Sequence, residues 1–177
     1  MKSFIIFAGI MGFFALIFIA SLAFPHQYRI EKSVIINKPL SSTFNYLNQI
    51  QNWKDWSPWN NSLDSSMVSF YSQIKMGEGA TQYFNGGLVG NGRFRIIESI
   101  PEQKLRYDLS INEGQMHSEA IFYFASVAGS TQLFWVDSGD VGYNPLFRFM
   151  LPGKVTSTEE SFEQGLKAIN LAAESKL

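Results

Sequence analysis

The chain has 177 residues, and with 14 basic against 15 acidic side chains its net charge is −1. It therefore has no broad positive field, which excludes a nucleic acid as partner. It has no cysteine, which excludes disulfides, thiolate nucleophiles and cysteine-ligated metals and leaves the redox compartment open.

Taken from the start, Lys2 precedes a nearly continuous apolar run over residues 4–24. At roughly 20 residues, the run is about the length that crosses a ~30 Å hydrocarbon core. A cleaved signal peptide is the alternative, because Ser21, Leu22 and Ala23 put small residues where a signal peptidase cuts. The run is longer than the ~7–15 apolar residues of a usual signal segment, and Phe4, Phe7, Phe13, Phe14 and Phe18 lie in it. With no polar face, it does not read as a core helix. The expectation is an N-terminal transmembrane helix over residues 1–25, acting as a membrane partner and giving a single-pass membrane protein. Lys2 before the run and Arg29 and Lys32 after it nearly balance the positive-inside count, and the short positive head ahead of the first apolar run sets the expectation that the one domain, residues 26–177, lies outside the cytoplasm.

Residues 33–37 are β-branched and predict a strand. Pro39 can supply the first helical position, where its missing N–H costs nothing. Leu40, Phe44 and Leu47 then form one apolar stripe of a helix, with Ser41, Ser42, Asn45 and Asn48 facing elsewhere. Ile50, Trp53, Trp56 and Trp59 recur every third residue, as suits a short helical turn with an extended exit. Three of the four tryptophans fall in this stretch.

Residues 67–71 and 80–84 read as short strands. The glycine-rich stretch from Gly86 to Gly92 suggests a phosphate loop at first, but residues 93–100 continue as a strand and no helix opens there, so a hairpin is expected. A turn at Pro101, Glu102 and Gln103 leads into Leu105, Tyr107, Leu109 and Ile111, which alternate with polar residues. A second turn, Asn112 to Gln115, leads to Ala120, Phe122 and Phe124, and a third, Ala128 to Ser130, leads to Leu133 and Trp135. Short strands joined by tight turns predict an antiparallel meander. Residues 145–151 read as a helical turn before a kink at Pro152, with a membrane-touching lip as the alternative. Ser157 and Glu160 form a capping box that predicts the start of the last helix. Phe162, Leu166, Ile169 and Ala173 line its apolar face, and Gly165 permits close approach to a sheet.

Ile36, Asn37, Pro39, Phe44, Leu47, Trp53, Trp56, Pro58 and Trp59, with the strand from Thr131 to Trp135 and the helix carrying Phe162, Gly165 and Leu166, resemble the START-like superfamily (SRPBCC, polyketide cyclase/dehydrase-type). The resemblance runs from about Gln27 to the C-terminus. It implies an α+β helix-grip fold, a curved antiparallel sheet around a long C-terminal helix, with a cavity for apolar ligands.

Catalytic chemistry is sparse. His26 and His117 lack partners at metal-ligand spacing, so neither a metal nor a cofactor is expected. Glu98 and Glu119, with Arg93, Arg95 and Arg106, could face a cavity or solvent, and no catalytic residue is assigned. The expected function is binding of a hydrophobic or amphipathic small molecule, a lipid, quinone or similar. Its expected ligand-binding residues are Trp53, Trp56, Trp59, Tyr107, Phe122, Trp135, Phe162 and Leu166. The alternatives are a cyclase/dehydrase-type enzyme and an interaction domain with a filled core.

Overall fold

In the computed structural model, residues 2–114 and 116–176 are described, apart from the side chains of Lys2, Ser3, Ile5 and Met116. Gln115, in one predicted turn, and the side chain of Lys2, the predicted positive head, lie outside the described residues. The chain order is α1 (Lys2–Ser21), β1 (Gln27–Ile36), α2 (Leu40–Asn48), a 3-10 turn η1 (Ile50–Asp55), β2 (Val68–Tyr71), β3 (Thr81–Gly86), β4 (Gly90–Ile100), β5 (Lys104–Ile111), β6 (Met116–Val127), β7 (Ser130–Asp140) and α3 (Pro145–Lys176). The strands form one seven-stranded sheet in the order β1-β7-β6-β5-β4-β3-β2. Neighbours from β2 to β7 pair antiparallel. The sheet and the long C-terminal helix make this a helix-grip fold.

The chain divides into two compact units. Unit 1 holds residues 1–30 and 138–158 and includes α1, the first residues of β1, the end of β7 and the start of α3. The expected transmembrane helix and single-pass location are corrected here. Among the described residues, no helix is long and apolar enough to cross a membrane. At the C-terminal end of the run the helix stops at Ser21, and Leu22, Ala23 and Phe24 bond back three residues, to Ile19, Ala20 and Ser21, in a turn, so the last three residues of the apolar run lie outside the helix. Buried Arg148 anchors this turn: its Nε donates to Gly142 O at 2.8 Å and its Nη1 to Ser21 O at 3.4 Å. The rings of Phe24 and Phe149 meet edge to face at 4.8 Å.

Unit 2 holds residues 31–137 and 159–177 and contains most of the sheet, α2, η1 and the last turns of α3. Pro39 serves as N-cap (φ −56°, ψ 149°) rather than as the first helical residue. The buried face of α2 is wider than the predicted stripe: besides Phe44 and Leu47 it takes Thr43, Tyr46 and Asn48. Asn48 is tolerated there because Ser99 Oγ donates to its Oδ1 at 2.8 Å. The glycine-rich stretch is the β3–β4 hairpin, with Gly86 opposite Gly90. Its turn is clamped by Asp64, whose Oδ2 accepts from Leu88 N at 2.7 Å and Val89 N at 3.1 Å.

The predicted start of the last helix also changes. α3 begins at Pro145 and runs through Pro152, so Ser157 and Glu160 lie inside a continuous helix rather than at a cap. Proline removes one backbone donor, but here its ring sits early in a 32-residue helix whose later turns are held by packing. Phe162, Leu166, Ile169 and Ala173 are all buried, as their spacing predicts.

Candidate ligand site

The aromatic interior of unit 2 is assembled from three directions. The first is η1. A 3-10 turn brings positions three apart onto one edge, so Trp53 and Trp56 lie ring to ring at 5.1 Å. Trp53 is fully buried, and its indole nitrogen is satisfied by donation to Leu47 O at 2.8 Å. The second direction is the sheet. Leu105, Phe122 and Trp135 stand opposite one another across β5, β6 and β7, and Tyr107, Ala120 and Asp137 form the neighbouring row. Residues two apart on a strand share a face, so the two rows present one continuous surface. The third is α3, which lays Phe162 flat on Trp135, with centroids 4.1 Å apart and planes within 10°. Gly165 makes that approach possible, because a Cβ there would come within 2.5 Å of the Trp135 ring.

Six of the eight predicted ligand residues, Trp53, Trp56, Tyr107, Phe122, Trp135 and Phe162, therefore meet in one ring cluster. Leu166 is buried on the same helix face. Trp59 stands apart, half-buried and stacked on Phe84 at 6.0 Å. Phe84 and Phe94 bridge it to the rest, through contacts of Phe94 with Phe84 at 5.6 Å and with Trp53 at 5.6 Å. Sequence reasoning missed both phenylalanines, although Phe94 and Ile96 carry the alternating phase of β4. It also missed Asp137, which shares the phase of Leu133 and Trp135 but reads as an outward residue because of its charge.

The polar atoms inside this cluster are few. Trp135 Nε1 donates to the Tyr107 hydroxyl at 3.1 Å. Burial raises the Tyr107 pKa; the bond from Trp135 opposes that shift, and the charge of Asp137 adds to it. The phenol is thus a proton donor at neutral pH rather than a base. Trp56 is 4% exposed, and its Nε1 has no acceptor among the described residues. Such a group is uncommon, since buried donors are almost always paired.

The charged candidates of β4, β5 and β6 lie on the opposite face of the sheet. Arg95, Asp108 and Glu119 oppose one another in register there, offset by one residue from Tyr107. Glu98 meets Lys104 at 2.8 Å and Arg106 at 3.3 Å; Glu119 meets Arg106 at 3.6 Å and His117 at 3.7 Å. Arg93 reaches Asp108 at 3.4 Å. His26 pairs with Asp140 at 3.1 Å, a partner 114 residues away that spacing cannot reveal. Among the described residues, no cluster of three metal-ligating side chains occurs. Unit 1 carries an open groove of about 590 Å³, lined by Gln27, Tyr28, Arg29, Ser138, Gly139 and Asp140. None of the eight predicted residues lines it.

No family model and no curated protein matches the chain. Solved structures do match. A protein of unknown function from Staphylococcus aureus, SA2116, superposes with a TM-score of 0.64 at 9% identity, over 84% of this chain and 94% of its own. The corresponding values for Ara h 8.0201 are 0.57 and 15%, over 85% and 99%. For the Aha1 dimer from Colwellia psychrerythraea they are 0.54 and 17%, over 82% and 98%. These likenesses show the helix-grip fold.

Proposed function

We propose that this domain binds a hydrophobic or amphipathic small molecule, such as a lipid or a quinone, against the aromatic interior of unit 2. The observation that carries this reading is the buried Trp56 indole N–H, without an acceptor among the described residues and in contact with the rings of Trp53, Phe122 and Trp135. An unmade buried hydrogen bond costs about 1–3 kcal/mol, and a ligand oxygen would recover it. The fold is compatible with this reading but does not by itself carry a function.

A second reading, an interaction domain with a filled core, is favoured by the 4.1 Å stacking of Trp135 on Phe162, where the protein's own rings occupy the space beside α3. Titrating the full chain with a short-chain isoprenoid quinone, oleate and cholesterol separates the two. Saturable quenching of tryptophan emission is expected, weakened in Trp53→Ala and Trp56→Ala variants whose circular dichroism shows them folded. Binding indifferent to both substitutions would move the site away from this cluster, with the unit 1 groove as the next place to look. Absence of saturable binding for all three probes would favour the filled core.

A further inference from the structure

The interior of unit 2 holds an indole donor without an acceptor among the described residues, and that donor defines what a ligand must bring; this rests on the ligand-binding reading above. An indole nitrogen can only donate, and that of Trp56 is buried without an acceptor among the described residues. The Tyr107 hydroxyl accepts from Trp135 and keeps its own proton to donate. The two residues belong to one cluster of rings: Trp56 and Tyr107 each contact Trp53, at 5.1 and 4.8 Å, and Phe122, at 5.7 and 5.8 Å.

We propose that the ligand is a neutral, carbonyl-bearing apolar molecule whose oxygen accepts from Trp56 Nε1, and that the corresponding carboxylate is excluded. A ketone or quinone oxygen pairs the orphan donor without adding charge. An alkane of equal length fills the same apolar space but leaves the N–H unmade. A carboxylate would pair it too, but would carry its charge out of water into a low-dielectric interior at a desolvation cost that a single indole N–H does not repay.

The test uses the full chain and three probes of equal chain length: methyl nonyl ketone, undecane and undecanoate, titrated at neutral pH by calorimetry. The ketone is expected to bind about tenfold more tightly than the alkane, the ratio one net hydrogen bond supplies, and more tightly than the carboxylate. In a ¹H–¹⁵N spectrum the Trp56 indole signal, identified by its loss in Trp56→Phe, is expected to move downfield with the ketone and not with the alkane. Trp56→Phe keeps an aromatic ring and should reduce ketone affinity about tenfold while leaving alkane affinity unchanged. Equal binding of ketone and alkane, tighter binding of undecanoate, or a Trp56 indole signal that ignores the ketone would overturn the proposal while leaving apolar binding intact. Failure of all three probes to bind would overturn the ligand-binding reading itself.

Discussion

Gly165 shows how much one missing methyl group can decide. A Cβ at that position would lie 2.5 Å from an atom of the Trp135 ring, which is itself stacked on Phe162 and cannot swing away. Alanine favours a helix over glycine by about 1 kcal/mol, but overpacking a tight contact costs about 1–3 kcal/mol. Gly165→Ala is therefore expected to lower the urea midpoint of unfolding, and a raised midpoint would show that the ring yields. Asp64 supplies a pH-dependent contribution at the same scale. The Ser66 hydroxyl and the Leu88 and Val89 amides all donate to its carboxylate and lower its pKa from 3.8 to about 2. Because the folded pKa is the lower one, the stabilisation is complete above the unfolded value of about 4 and is lost as pH falls through about 2. Acid unfolding midpoints should decline in that window, and Asp64→Asn should remove that part of the decline. Residues of this kind divide by how far their cause extends. The packing role of Gly165 was legible from its place beside Leu166 on an apolar helix face. The clamp made by Asp64 was not, because the hairpin amides it holds, Leu88 and Val89, lie 24 and 25 residues away.

At the scale of elements, periodicity located the strands well and the helix ends less well. The stripe on α3 is buried as read, and in β5 Leu105, Tyr107 and Ile111 are buried as their alternation predicts, but Leu109 is only half-buried while Asp108, on the polar phase, is buried. The capping box at Ser157 misled because a local side-chain pattern competes with helix propagation, and a continuous helix from Pro145 won. The apolar run of α1 misled in another way: composition records hydrophobicity through Phe24, whereas the backbone leaves the helix after Ser21. Within α3, Gly153 offers a contrast to Gly165. It is exposed, and nothing lies within 4 Å of the place a Cβ would take. Gly153→Ala should raise stability by about 0.5–1 kcal/mol, the usual gain from reduced backbone freedom. Thermal unfolding followed by circular dichroism measures it, and a loss would mean that the helix is strained around Pro152.

For the molecule as a whole, the helix-grip fold was legible because its signals are dispersed over many residues: a meander of alternating strands, a proline-led helix and a glycine-bearing terminal helix. The candidate site was legible only in its aromatic part, since ring-bearing residues announce burial while the role of Asp137 depends on strand register. Phe162 joins the terminal helix to the sheet, so Phe162→Ala should cost about 3–5 kcal/mol of global stability; a loss below about 0.5 kcal/mol would place that helix outside the core. All four tryptophans belong to unit 2, so intrinsic fluorescence follows that unit's unfolding. The spacing of three of them has an optical consequence. Trp53 and Trp56 lie at 5.1 Å and 51°, and Trp56 and Trp135 at 5.5 Å and 85°. Transition dipoles this close and this strongly inclined couple as excitons. The folded chain should show a bisignate band in the far-ultraviolet, and its emission should be depolarised by energy hopping among the indoles. A quencher touching any one of the three then darkens the set.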